Sequence, residues 1–237
     1  MIALRYEQVV VKQGATEHRR ACIDVGRIRL LFCSLWIAVI SSASAQSACA
    51  WYLPINVSNR QSWEQVRLTK IGEFGLVRKA RPGIPAHYHT ATDFMRPGDN
   101  YENEPIFPAA AGRVISQRDD GPFAQLIVEH VTHDHDTLWT VYEHIADLTV
   151  VVGDTVDPFV PIGRFMTKKE LSKYGWQFDH VHFEIMKHRP RPLQPTKKTP
   201  MRLFKVYNLE CYTKAELEKY YYAPHEFFQA CWNMASR

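Results

Sequence analysis

The run His180-Val-His-Phe-Glu-Ile185 most constrains what this chain can fold into. Its apolar residues, Val181, Phe183 and Ile185, alternate with polar ones, the period-two pattern of a strand. On such a strand His180 and His182 project from one face, so a single metal ion can be shared by, or lie beside, both rings. Well upstream, His89-Thr-Ala-Thr-Asp93 adds another imidazole and a carboxylate. Two imidazoles and one carboxylate, with spare histidines for proton chemistry, are the ligand set of an open catalytic zinc site.

Each half is weak alone. The chain has 11 histidines, and His-x-His occurs at His87/His89, His133/His135 and His180/His182. His-x-x-x-Asp occurs at His89/Asp93 and again at His130/Asp134. Context separates them. Between the two halves lies Leu138-Trp-Thr-Val-Tyr-Glu-His144-Ile145, rich in β-branched and aromatic residues and read as another strand. After it come Val152-Gly-Asp-Thr-Val156 and Ile162-Gly163.

In this order the motifs resemble the lysostaphin/LytM-type zinc metallopeptidases. The family pattern is His-x-Gly-x-Asp, Pro-Val-x-Ala-x-x-x-Gly-x-Val, Thr-Val-Tyr-x-His-Leu, Val-x-x-Gly-Asp-x-Val with Ile-Gly, and His-Leu-His-Phe-Glu. The matching stretches here are 89–93, 105–114, 140–145, 152–156, 162–163 and 180–184, and the resemblance as a whole covers roughly residues 71–186. It implies a mainly β protein, an antiparallel β-sheet core of the duplicated-hybrid-like type, with loops forming a groove. It also implies His89, Asp93 and His182 as zinc ligands, His144 and His180 as the catalytic pair, and peptide bonds of bacterial peptidoglycan as substrate. Two departures stand out. Ala91 replaces the family's glycine, and 16 residues separate Gly163 from His180 where the family has a short Gly-rich loop. The longer segment is expected to reshape one wall of the groove.

Composition bounds the rest. At 46% hydrophobic and 12% aromatic the chain can build a core. The net charge of +4 is mostly N-terminal: residues 1–45 hold six Lys/Arg and three Asp/Glu, leaving a balance of +1 beyond them. That gives no support to nucleic-acid binding. Arg27 and Arg29 precede an apolar run over residues 30–40 and then Ala43-Ser-Ala45, the layout of a secretory signal peptide cleaved after Ala45. The run is shorter than the roughly 20 residues of a spanning helix, so no stable membrane span is expected after cleavage. Residues 1–26 are an awkward prefix to such a signal, and translation is expected to start downstream, near Val25. A secreted or periplasmic location follows. Of five cysteines, Cys49, Cys211 and Cys231 survive cleavage. In an oxidising compartment the expected bridge is Cys211–Cys231, with Cys49 left over, the alternative being unpaired buried thiols.

The organisation read from these signals is a lead-in (46–70), the peptidase domain (71–187) and a Pro-rich, basic linker with a helical tail (188–237). Strands are expected near 105–108, 112–116, 123–132 and 137–145, with His133-Asp-His-Asp136 as a turn. Thr167-Lys-Lys-Glu170 is a capping box and predicts a short helix behind it. Further helices are expected at 213–222 and 224–232.

Competing readings stay open at this point. His130, His133, Asp134 and His135 form a rival metal set, better read as a polar hairpin tip. His87 is an alternative ligand with poorer spacing. Arg78 and Tyr142 are substrate contacts or packing residues. Tyrosines 220–222 with Phe227 and Phe228 stack on glycan or pack on the domain. Gly-x-Ser-x-Gly, His-Glu-x-x-His and Cys-x-x-Cys are all absent. The function expected is a secreted zinc endopeptidase of peptidoglycan. The rivals are a catalytically silent wall-binding or hydrolase-activating module of the same fold and, last, a zinc D,D-carboxypeptidase.

Overall fold

In the computed structural model residues 49–132 and 135–235 are described. The signal segment, Cys22, Cys33, His133 and Asp134 lie outside them. The principal sheet is built from β1 (Thr92–Met95), β2 (Gly112–Arg118), β3 (Gln125–Val131), β4 (Thr137–Glu143), β5 (Thr155–Val156), β6 (His180–Met186) and β7 (Tyr221–Tyr222). All pairings are antiparallel, in the spatial order β7-β6-β4-β3-β2-β5, with β1 also on β6. The expected fold class is therefore what the chain adopts.

β6 is the hub. β4 runs along one edge from His182↔Glu143 to Met186↔Trp139. The other edge is shared: β1 covers His180 to Phe183, and β7 covers Ile185 and Met186. The alternation of β6 sends Val181, Phe183 and Ile185 into the main core, with Leu126, Val128 and Tyr142 from its neighbours. Leu53 and Ile55 of the lead-in and Phe228 of the last helix close that side. Phe183 is fully buried and stacks on Phe228 at 5.9 Å; burying such a ring stabilises the fold by roughly 1.5–3 kcal/mol. The opposite face carries Ile127, Trp139, Val141 and Met186, covered by Val206, Tyr207, Cys211, Leu217 and Tyr221. Two covered faces explain why Leu126-Ile-Val128 is apolar without a break.

Among the described residues three α-helices decorate the sheet: α1 (Lys168–Tyr174), α2 (Lys214–Tyr220) and α3 (Pro224–Ala235). The Thr167 capping box is formed as expected, its side chain accepting from the Glu170 amide while Glu170 accepts from the Thr167 amide. Thr213 and Glu216 do the same for α2. The expected helix over 213–222 stops at Tyr220, because Tyr221–Tyr222 pairs with β6 instead. Within the Pro-rich stretch, Arg191–Pro192 pairs with Phe204–Lys205.

The cysteine pairing differs from expectation. Cys231 bonds to Cys49, with Cα atoms 5.5 Å apart, and Cys211 is free and buried. The sheet itself separates Cys211 from Cys231. Cys211 packs on the second face, whereas α3 returns along the lead-in, where the Trp232 indole donates to the Trp51 carbonyl at 3.0 Å and Phe227 meets Trp51 edge-on.

Candidate metal centre

Register brings the upstream and downstream motifs together. Asp93 on β1 lies directly across from His182 on β6, so both side chains emerge on the same face. His89, four residues before Asp93, is anchored by its own amide on the Leu76 carbonyl at 2.8 Å. The result is a tight triangle. His89 Nε2 is 3.1 Å from Asp93 Oδ1, His182 Nδ1 is 3.0 Å from the same oxygen, and the two ring nitrogens are 3.2 Å apart. Zinc with bonds of about 2.0–2.1 Å in tetrahedral geometry wants its ligand atoms about 3.3 Å apart. The donor set thus fits a metal in both chemistry and size, and His89, Asp93 and His182 form a group that can hold one.

The surroundings aim these atoms. The Glu73 carbonyl accepts from His89 Nδ1 at 2.9 Å, which leaves the Nε2 lone pair facing the cluster. Glu184 Oε1 lies 3.2 Å from His182 Nε2 and leaves Nδ1 to the cluster. Arg78 Nη2 holds the second Asp93 oxygen at 3.1 Å. Gly72 lies directly behind Asp93: a Cβ there would stand 2.9 Å from the Asp93 Cβ, so only glycine permits this approach.

Electrostatics match the donor set. Burial opposes a charge on His182, but its hydrogen bonds to Asp93 and Glu184 outweigh this and lift its pKa to about 10. Burial likewise opposes ionisation of Asp93, yet His182 and His89 hold its carboxyl well below the usual carboxylate range. These shifts favour a proton on His182 next to the Asp93 carboxylate. A metal competes with that proton, which links affinity to pH.

His144 and His180 stand beside the triangle. His144 follows β4 directly and has φ of 65°, a left-handed value uncommon outside glycine. The strand breaks there, and the ring packs 4.8 Å from His180 and 6.0 Å from His182, centroid to centroid. Its Nδ1 donates to the Pro122 carbonyl, leaving Nε2 unprotonated. His180 Nε2 lies 3.6 Å from Asp93 Oδ1, and its Nδ1 has no partner among the described residues. Burial pushes both pKa values down, that of His180 to about 3. Both rings are therefore neutral near pH 7.

The group lies in a cleft of about 830 Å³ lined by Arg78, Tyr88, Phe123, Trp176 and Phe178, among others. The long segment before His180 supplies the aromatic wall: Trp176 is exposed and Phe178 packs 4.9 Å from His144. The segment that is longer here than in the family pattern thus lines the cleft beside the candidate centre. Other candidates fall away from the centre. The His87 ring turns to the Pro85 carbonyl. Tyr142 is wholly buried, and its hydroxyl accepts from the Ala109 amide at 2.7 Å, so it packs rather than meets a substrate. Tyr221 and Phe228 are core residues. Glu184 and Thr90 stand inside the two sequence motifs but were given no role there, although Glu184 is two residues from His182 on the same strand face.

The chain matches the family model of Peptidase family M23 over residues 87–195. All five polar side chains of the centre lie within the M23 segment. Glu73, Arg78 and the covering tail residues lie outside it. Among solved structures the chain is similar to lysostaphin, at 16% identity over 70% of this chain and 51% of that chain, with a TM-score of 0.40. It is similar to a zinc-containing peptidase from Vibrio cholerae, at 22% identity over 57% of this chain and 36% of that one, TM-score 0.39. It is also similar to LytU, at 21% identity over 51% of this chain and 73% of that one, TM-score 0.35. The chain thus spans about half of lysostaphin. These likenesses are partial, and the fold class rests on the sheet itself. No curated protein matches the chain.

Proposed function

We propose that this protein is a secreted or periplasmic zinc endopeptidase that hydrolyses peptide bonds of bacterial peptidoglycan. The convergence of His89, Asp93 and His182 in a cleft, with two neutral imidazoles beside them, carries this reading. The M23 match over residues 87–195 supports the peptidase class and the wall substrate. A zinc ion in this donor set supplies Lewis acidity, activating water near neutral pH and polarising the scissile carbonyl.

The chain's own groups divide the remaining work. His89, Asp93 and His182 would hold the metal. His144 Nε2, held outward by the Nδ1 bond to Pro122, accepts a proton from the attacking water and later returns it to the leaving amine. His180 helps hold the negative charge that develops on the carbonyl oxygen. Trp176, Phe178 and Phe123 line the cleft next to them and keep bulk water from the pair.

The Cys49–Cys231 bridge suits an oxidising compartment. Among the described residues no helix is long and apolar enough to cross a membrane. The deciding experiment incubates zinc-loaded residues 46–237 with purified sacculi and reads muropeptides by mass spectrometry. New fragments that vanish with chelator are expected and name the bond. Intact sacculi, from protein that demonstrably holds zinc, would overturn the wall-hydrolase reading.

A further inference from the structure

Glu184 is wholly buried, and one of its oxygens serves two partners. Oε1 lies 3.2 Å from His182 Nε2 and accepts from the Thr90 hydroxyl at 2.5 Å. Thr90 follows His89 directly, so this single oxygen ties together the two segments that carry the imidazole ligands. The other oxygen, Oε2, is buried with no hydrogen-bond partner among the described residues. A buried carboxylate in that state is costly unless a positive charge lies within reach. Its cover comes from beyond the M23 segment. Tyr222 pairs with Ile185 beside it, the Cys211 carbonyl accepts from the Tyr88 amide, and Cys211 and Tyr221 pack on the same face. Burial raises the Cys211 thiol to about 12, with the acidic side chains of Glu184, Glu216 and Glu210 adding to it.

We infer that Glu184 is a positioning residue for the metal centre: it fixes the His182 ring and the His89–Thr90 segment together, and the C-terminal segment 206–222 keeps its carboxylate dry. This rests on the metal-site reading above but not on the substrate. A dry carboxylate on the far nitrogen of a ligand imidazole raises the basicity of the near one and fixes its orientation. The buried charge is then balanced by the metal rather than by a neighbouring cation.

The test is metal affinity, measured by competition with a chromogenic chelator on the full protein. Glu184→Gln keeps the shape and an acceptor oxygen but removes the charge. Zinc affinity should fall by about 10- to 100-fold. The cobalt-substituted variant should show a shifted visible spectrum. Thr90→Val should weaken zinc in the same direction by less, and Thr90→Ser should restore it. Unchanged zinc affinity in a folded Glu184→Gln protein would overturn this inference while leaving the metal site standing. A parent protein that binds no zinc would overturn the site reading itself.

Discussion

Two regions carry the same spacing and meet different ends. His89/Asp93 and His130/Asp134 are both His-x-x-x-Asp. At the first, the His89 ring has one nitrogen spent on a backbone carbonyl and the other aimed at Asp93 and His182. At the second, both nitrogens of His130 are spent, on the Ala111 carbonyl at 2.8 Å and the Thr140 hydroxyl at 2.7 Å, inside the core. β6 makes the difference. It lies beside β1 and sets His182 opposite Asp93, while His130 sits in β3 opposite Leu138. A spacing motif becomes a metal site only when a third donor arrives across a strand pair and one ring nitrogen stays unspent.

The comparison can be broken most directly at the centre. His182→Ala should abolish both zinc binding and peptide hydrolysis, read by elemental analysis and muropeptide release. Stoichiometric zinc in that variant would disprove the ligand assignment. His180→Ala should keep zinc and lose turnover by about 10²- to 10⁴-fold; near-parental rates would show that the pair is misassigned. Gly72→Ala should push Asp93 off its position through the 2.9 Å approach and weaken zinc while the sheet stays folded. Parental affinity there would mean that the backbone yields freely.

The other region should respond only in stability. His130→Ala should leave zinc and turnover intact, yet destabilise the fold by about 3 kcal/mol in denaturant titration, because a buried ring is lost, the Ala111 carbonyl loses its donor and the Thr140 hydroxyl keeps only Tyr142. Zinc loss would make His130 part of the site after all. The smallest effect is on pH. Burial lowers the His130 pKa to about 4, so between pH 6.5 and 4 the unfolded chain binds a proton that the folded one does not. Stability is complete above pH 6.5 and falls as pH drops through that window, by up to about 2–3 kcal/mol. His130→Ala should show a shallower slope there; an unchanged slope would assign the acid sensitivity elsewhere.

Much of this was legible in the chain. The alternation over 180–185 placed His180 and His182 on one face and Phe183 in the core, since a strand's side chains have no other choice. The Thr167 cap and helix α1 followed from local hydrogen bonding among four residues. The five polar residues of the candidate centre were named through the resemblance and its motif order, whereas the sheet brings them together out of chain order, with β1 and β4 on either side of β6. The role of Glu184 was readable in principle from the same period of two, but nothing local says that its carboxylate is buried.

What tertiary structure alone decided are the contacts between distant segments. Which cysteine met Cys49 depended on α3 running back along the lead-in and on the sheet standing between Cys211 and Cys231. Whether Tyr221 and Tyr222 continued a helix or joined β6 depended on a free strand edge that propensity cannot see. Arg78 belonged to Asp93 only once the Val77–Arg78 strand paired with His87–Tyr88. Local rules act over a few residues, where covalent geometry limits the options. Pairings across the sheet are chosen by burial and by which edges and faces remain to be covered.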